Sequence, residues 1–112
     1  MMADENWVTV GPVSELCEGA VLGVSVGESD IAIYCVGGKL YATDNVCTHA
    51  YARLSDGFLD GHEIECPLHF GRFDVRTGKG LCAPIVSDVR TYPVRVKAQD
   101  MQVLVADATA RG

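Results

Sequence analysis

Two short segments in the middle of the chain contain residue types that bind metal ions. Cys47 and His49 are separated by one residue, and Cys66 and His69 by two. Sixteen residues lie between His49 and Cys66. Two thiolates and two imidazoles are enough for a tetrahedral zinc site, so their number alone does not select the metal. Their order is more informative. Common zinc-finger spacing puts a Cys pair on one loop and a His pair on another, whereas each segment here carries one of each.

A [2Fe–2S] cluster with two Cys on one iron and two His on the other gives this mixed order a physical reason. Each segment then reaches both irons, with its Cys on the inner iron and its His on the outer iron. Between the segments, "FLD" at 58–60 and "EIE" at 63–65 flank Gly61 and His62. This pattern predicts a β-hairpin that brings the two ligand segments side by side. The spacing therefore favours an iron–sulfur site, and structural zinc is the alternative.

The middle of the chain resembles a bacterial Rieske ferredoxin from Ala42 to Pro84, through "ATDNVCTHAYARLSDGFLDGHEIECPLHFGRFDVRTGKGLCAP". The Rieske motif is C-x-H, a spacer of similar length and C-x-x-H. The resemblance implies an all-β Rieske fold, with an antiparallel β-sandwich or barrel core and a smaller cluster-binding subdomain near residues 44–85, in a single domain spanning 1–112. It also implies one Rieske-type [2Fe–2S] cluster with four protein ligands: Cys47, His49, Cys66 and His69.

Within that family, the chain looks most like the small ferredoxin components of aromatic-ring-hydroxylating dioxygenase systems. The resemblance implies an electron carrier with no catalytic site of its own. It would take single electrons from a flavin-dependent NAD(P)H ferredoxin reductase and pass them to a terminal oxygenase, with transient contacts to both. Two alternatives remain open: the small Rieske-type subunit of an assimilatory nitrite reductase, and a structural zinc-binding module.

Four positions beside the ligand segments bear on the reduction potential. The high-potential Rieske proteins of respiratory complexes carry two further cysteines, joined in a disulfide, where the resemblance places Ala52 and Leu68. They also carry a Ser and a Tyr, whose hydroxyls donate hydrogen bonds to sulfur, where it places Gly71 and Phe73. Without those donors we expect a potential near the low end of the Rieske range, about -150 mV.

Alternating, β-rich segments bounded by turn residues predict the strands that must position these ligands. The predicted strands are 7–10, 20–26, 31–36, 39–43, 58–60, 63–65, 72–75, 89–96 and 101–105. Gly37 and Gly38 can both adopt positive φ, so the clearest hairpin is predicted at that turn. One helical turn is predicted at 14–17, and no segment shows a sustained 3.6-residue apolar period. The tail from 106 to 112 is predicted to be frayed.

The composition describes one small acidic domain. The chain has 112 residues, and its 9 Lys and Arg against 15 Asp and Glu give a formal net charge of -6. Nucleic-acid binding depends on neutralising phosphates, so this balance argues against it and favours basic protein partners. The sequence has no run of about 18 apolar residues and no signal-peptide pattern, so we expect no membrane association, a cytoplasmic location and, by default, a monomer. Five cysteines without an export signal argue against a disulfide framework.

The remaining chemistry-bearing residues have simpler explanations. Cys17, Cys35 and Cys82 are expected to be small buried hydrophobes, with Cys82 the exception to watch because it lies in a loop near the ligands. Solvated side chains are expected at three positions: His62, Arg53 and Arg72. For the two arginines, which flank the ligands, the alternative is a role in tuning the reduction potential or in meeting a partner. A small apolar rim for transient docking is expected from five residues around the ligands: Tyr51, Leu68, Phe70, Pro84 and Ile85.

Overall fold

A computed structural model describes residues 7–47, 52–68, 70–82 and 87–105. Within those ranges the chain forms ten β-strands and two 3₁₀ turns, at Val13–Glu15 and Leu54–Asp56, and no α-helix. The all-β prediction is therefore confirmed. The helical turn predicted at 14–17 is the first 3₁₀ turn, one residue earlier. The predicted tail lies outside the described residues. No helix in the described ranges is long and apolar enough to cross a membrane.

The first sheet joins the two ends of the described chain. Strands β1 (Trp7–Pro12), β9 (Val94–Lys97) and β10 (Asp100–Leu104) are antiparallel in the order β1-β10-β9. Ala98 and Gln99 connect β9 to β10 and both have positive φ, 53° and 71°. A two-residue turn of this kind matches the right-handed twist of the strands that it joins.

The second sheet contains the predicted glycine hairpin. Strands β2 (Val21–Val26), β3 (Ser29–Val36), β4 (Lys39–Asp44) and β8 (Thr91–Tyr92) pair in that order, all antiparallel. Gly37 and Gly38 have φ of 62° and 77°, so the predicted turn is confirmed. Their two N–H groups donate hydrogen bonds to the Glu18 carboxylate, at 2.7 and 2.9 Å, which fixes the turn from outside.

The strand predicted at 89–96 is in fact two strands in two different sheets. β8 pairs with β4, whereas β9 pairs with β10. Pro93 separates them, and it lacks the N–H that a ladder needs. Its carbonyl accepts a bond from the N–H of Leu104 at 3.0 Å, so the chain crosses from the second sheet to the first at this proline.

The third sheet is the hairpin predicted between the ligand segments, with one further strand. β5 (Phe58–Asp60), β6 (Glu63–Glu65) and β7 (Arg72–Asp74) pair in that order, all antiparallel. Gly61, in the turn between β5 and β6, has φ of 60°. Both "FLD" and "EIE" are thus strands as predicted, and the segments that follow β4 and β6 carry the two cysteines of the motif.

The core consists of two buried groups that share the central strand β3. Ile31 and Ile33 face a group with Ala42, Tyr92, Met101 and Val103. The intervening residues Ala32 and Tyr34 face the other group, whose buried members also include Leu54, Ile64, Phe73, Val75, Cys47 and Cys66. Side chains alternate along a strand, so β3 is buried on both faces and separates the sandwich core from the region of the two cysteines.

Candidate metal centre

The structure brings together the two cysteines of the predicted ligand set. Cys47 is 3% exposed and Cys66 is fully buried, and both belong to the same buried group. The thiol of Cys66 is in hydrogen-bonding contact with that of Cys47, although 18 residues lie between them in the sequence. His49 and His69 lie outside the described residues.

The first ligand segment is closed at its base by Asn45. Its side-chain Nδ2 donates to Asp30 Oδ1 at 3.1 Å and to Ser55 Oγ at 2.9 Å, while its Oδ1 accepts from the Ser55 N–H at 2.7 Å. Inside this clamp, the Cys47 N–H donates to the Ala52 carbonyl at 2.9 Å. A buried amide that satisfies both its donor and its acceptor groups favours one loop geometry over others. Asn45 is 1% exposed and was not among the residues predicted for the site.

The second ligand segment is the loop between β6 and β7. The Cys66 N–H donates to the Gly71 carbonyl at 2.8 Å, and Glu65 and Arg72 form the last pair of the ladder below it. Their side chains form an ion pair of 2.8 Å between Arg72 Nη2 and Glu65 Oε1. Cys66 and Gly71 are therefore held together directly above a paired base.

Gly57 allows the chain that enters β5 to pass close to the end of β6, immediately before Cys66. A Cβ atom at this position would lie 1.9 Å from the carbonyl oxygen of Glu65 and 3.2 Å from Cδ of Pro67. Its φ of -92° is open to any residue, so the requirement for glycine is one of space. No sequence signal marked this glycine, because the close contact exists only once β5 has paired with β6.

The two thiols are buried in an apolar group. Burial raises the pKa of the Cys66 thiol, the backbone N–H of Leu68 lowers it by donating to the sulfur, and contact with Cys47 raises it again. Iron and zinc bind the thiolate form of cysteine. A bound metal cation therefore displaces the protons that burial otherwise keeps on the two sulfurs. A pair of adjacent buried thiols with a backbone donor aimed at one sulfur fits half of a two-Cys, two-His donor set.

Gly71 and Phe73, the two positions where high-potential Rieske proteins carry a Ser and a Tyr, supply no hydroxyl. Gly71 is buried and has no side chain, and Phe73 is fully buried in the same group as Cys47 and Cys66. Ala52 and Leu68 carry no sulfur, and none of the five cysteines, all of which are described, forms a disulfide. The expected potential near the low end of the range stays a prediction.

Apolar side chains are exposed beside the ligand segments. Leu68 is 45% exposed and Phe70 is 65% exposed, and Phe70 has φ of 61°, in the region that favours glycine. Val46 and Leu81 are also exposed, and neither was in the predicted rim. Val46 precedes Cys47, and the Leu81 N–H donates to the Arg72 carbonyl at 2.8 Å. Three members of the predicted rim lie outside the described residues: Tyr51, Pro84 and Ile85.

Two predictions about individual residues are wrong. Cys17 and Cys82 are exposed, and only Cys35, which is partly buried with its Sγ 3.8 Å from Glu18 Oε1, approaches the predicted environment. Arg72 is not a simple solvated charge, because its guanidinium contacts carboxylates from both β5 and β6. Sequence reasoning missed this because the three carboxylates meet only once the sheet has formed.

Arg53 and His62 agree better with expectation. Arg53 is 65% exposed and pairs with Asp30 at 3.1 Å between Nε and Oδ2. His62 lies in the β5–β6 turn, where its ring packs edge-on against Tyr41 with 5.8 Å between ring centroids. Neither residue is placed with the two cysteines, so neither joins the candidate donor set.

Comparison with known proteins identifies the family that the chain resembles in sequence and fold. Residues 6–93 match the family model described as the Rieske [2Fe–2S] domain. The ferredoxin component of the naphthalene 1,2-dioxygenase and salicylate 5-hydroxylase systems of a Ralstonia species is 54% identical over 100 residues, which cover 89% of this chain and 94% of the relative.

Solved structures show the same architecture. A chain in the complex of reduced oxygenase and oxidized ferredoxin in carbazole 1,9a-dioxygenase has a TM-score of 0.84 and 39% identity, with 88% of this chain and 93% of that chain covered. A structure named for the small subunit of an NADH-dependent nitrite reductase from Mycobacterium tuberculosis has a TM-score of 0.77 and 27% identity, with 87% and 92% covered.

Proposed function

Because the chain belongs to the Rieske [2Fe–2S] domain family, we propose that it carries single electrons to the terminal oxygenase of an aromatic-ring-hydroxylating dioxygenase system. The observation that carries this proposal is the 54% identity, over nearly the whole of both chains, to a naphthalene dioxygenase ferredoxin component. The electron donor in this proposal is a flavin-dependent NAD(P)H ferredoxin reductase. The relatives are named as electron-transfer components, and the chain is an electron carrier of the same kind rather than an enzyme.

The predicted fold and cofactor are confirmed by the family match. The chain has the all-β Rieske fold and holds one Rieske-type [2Fe–2S] cluster, which when bound accepts and releases one electron at a time. The structural zinc alternative is therefore wrong.

Four ligands are proposed for that cluster: Cys47, His49, Cys66 and His69. Support comes from the contact between the two buried thiols and from the Leu68 N–H that donates to the Cys66 sulfur. We also propose that residues 44–85 form a cluster-binding subdomain within a single domain spanning 1–112. The third sheet and both described ligands fall inside that range.

The chain's own residues have three tasks in this function. Burial by Leu54, Ile64 and Phe73 keeps water from the thiolates, which strengthens electrostatic interactions there. The Asn45 amide and the Glu65–Arg72 pair close the two ligand loops, so that little rearrangement is needed when the charge changes. The exposed Leu68 and Phe70 are proposed as part of an apolar surface for transient docking.

The nitrite reductase alternative has weaker support. The similarity in fold to the Mycobacterium tuberculosis protein comes with 27% identity, half of that to the naphthalene dioxygenase ferredoxin component.

We propose a monomer in the cytoplasm. The absence of disulfides among the five described cysteines supports the location, because thiols stay reduced in that compartment.

The test is reconstitution of electron transfer with purified components. Iron analysis and the EPR spectrum of the dithionite-reduced protein establish the cluster first. The protein is then mixed with a flavoprotein reductase, NADH and the oxygenase component of a naphthalene-type system, and substrate dihydroxylation is measured. We expect turnover that depends on this protein. A protein that carries its cluster but supports reduction only of a sirohaem nitrite reductase would contradict the proposal.

A further inference from the structure

On the outer face of the third sheet, three carboxylates meet at the guanidinium of Arg72. Its Nη1 lies 3.2 Å from Asp60 Oδ2 and 3.1 Å from Glu63 Oε1, and its Nη2 lies 2.8 Å from Glu65 Oε1. Asp60 is on β5, Glu63 and Glu65 are on β6, and Arg72 is on β7. One guanidinium therefore ties together all three strands of the sheet.

This group of charges is unbalanced, and its Glu65–Arg72 pair lies at the base of the second ligand loop. Three carboxylates surround one guanidinium, which leaves two negative charges in excess. Glu65 directly precedes Cys66, and Arg72 directly follows Gly71, whose carbonyl accepts the Cys66 N–H. The side chains of Glu65 and Arg72 are 19% and 31% exposed, so solvent and salt screen them less than a fully exposed pair.

We propose that Arg72, which lies beside the Cys66 loop, is a positioning residue that sets the reduction potential by offsetting the three carboxylates that it contacts. Reduction adds one negative charge to the centre. Nearby carboxylates oppose this charge and a nearby cation favours it. The carboxylates therefore lower the reduction potential, and Arg72 limits how far they lower it. This inference rests on the proposed ligand set, in which Cys66 binds iron.

Two substitutions that break the same ion pair distinguish an electrostatic role of Arg72 from a purely structural one. Arg72→Gln removes the cation and is expected to lower the potential. Glu63→Gln removes one carboxylate and is expected to raise it. Both remove the ion pair of 3.1 Å between these side chains, so a purely structural role would move the two potentials in the same direction or leave both unchanged. Arg72→Lys keeps the charge without the planar fork, and its potential is expected to lie between those of the wild type and Arg72→Gln.

Arg76 supplies the matched control. It pairs with Asp74 through bonds of 3.0 and 2.9 Å, but it lies beyond the end of β7 that is away from the Cys66 loop. Arg76→Gln therefore removes the same charge and a comparable ion pair at a greater distance from the site. Its shift in potential is expected to be smaller than that of Arg72→Gln.

The measurement is a redox titration of the purified holoprotein, followed by its visible spectrum, at low and at high NaCl. The proposal predicts opposite shifts for Arg72→Gln and Glu63→Gln, both larger at low salt. Shifts in the same direction, or an Arg72→Gln shift no larger than that of Arg76→Gln, would overturn it. If Arg72→Gln does not retain iron, the potential of Glu63→Gln decides, and an unchanged value contradicts the proposal. Iron content and EPR of the wild type test the cluster site separately.

Discussion

At the scale of single residues, the site depends on residues that are not iron ligands. Gly57 makes room for the Glu65 carbonyl, Asn45 ties Asp30 to Ser55, and Phe73 fills the space beside both cysteines. Each of these residues fixes where a loop can lie. The positions of the cysteines therefore depend on neighbours from three different parts of the chain.

Gly57→Ala is expected to destabilise the protein and to reduce its iron content. The added Cβ would overlap the backbone carbonyl of Glu65, and overpacking of this kind typically costs about 1–3 kcal/mol. The control is Gly61→Ala, where a Cβ meets nothing within 4 Å and only the left-handed φ opposes it, at about 1–2 kcal/mol. Iron per chain and the urea midpoint distinguish the two variants. Equal iron content in both would contradict the proposed steric role of Gly57.

A double substitution, Gly71→Ser with Phe73→Tyr, is expected to raise the reduction potential. Both positions are buried near the cysteines, and new hydroxyl donors to sulfur favour the reduced form. Phe58→Tyr adds a hydroxyl on the exposed face of β5 and serves as the control. The measurement is a redox titration, with thermal unfolding to verify that the double variant is intact. An unchanged potential in an intact double variant would refute the explanation for a low potential.

At the scale of elements, short hairpins could be predicted and long-range pairings could not. The Gly37–Gly38 turn and the "FLD"–"EIE" pair depend on local residues, and both formed where the sequence placed them. The change of sheet at Pro93 depends on which distant strands are adjacent. The contacts of Arg72 arise from three strands at once, so no local pattern in the sequence indicates them.

The proposed ligand motif, which stays a prediction, could be read from the sequence for a related reason. Cys47, His49, Cys66 and His69 form a spacing that is itself local to two loops, and the chemistry of those residue types limits what they bind. The residues that close the loops, such as Asn45 and Gly57, have ordinary residue types and no diagnostic spacing. Their roles became visible only through the contacts they make in the folded chain.

The hairpin between β3 and β4 is expected to show a pH-dependent stability that comes from Glu18. The N–H groups of Gly37 and Gly38 lower the pKa of the Glu18 carboxyl in the folded state. The ionised form is therefore favoured by folding. Its contribution is present above the unfolded pKa of about 4.3 and is lost as the pH falls through the lower folded value.

Glu18→Gln tests this contribution, with Glu28→Gln, a substitution of another exposed carboxylate, as the control. Denaturant midpoints are measured at pH 7 and at successively lower pH. We expect Glu18→Gln to be less stable than the wild type at pH 7 and the difference to shrink as the carboxyl is protonated. A difference that is constant with pH, or that matches the one for Glu28→Gln, would disagree with this account.

At the scale of the whole molecule, the net charge of -6 bears on the encounter with partners. Electrostatic steering raises association rates by about tenfold or more when the partner surface is basic, and it weakens as the Debye length shortens from about 10 Å at 0.1 M salt to about 3 Å at 1 M. We expect the second-order rate of reduction by the proposed flavoprotein reductase to fall as NaCl is raised, measured by stopped flow. A rate that is flat or rises with salt would show that charge does not steer this encounter.

The two buried faces of β3 limit which fragments of the chain are expected to bind iron. Ile31 and Ile33 belong to the sandwich core, while Ala32 and Tyr34 form a wall of the group that contains Cys47 and Cys66. A synthetic peptide covering only 44–85 would lack that wall, and it would expose apolar surface that the full chain keeps buried. The minimal iron-binding fragment therefore has to include β3, and with β3 come the strands that cover its other face.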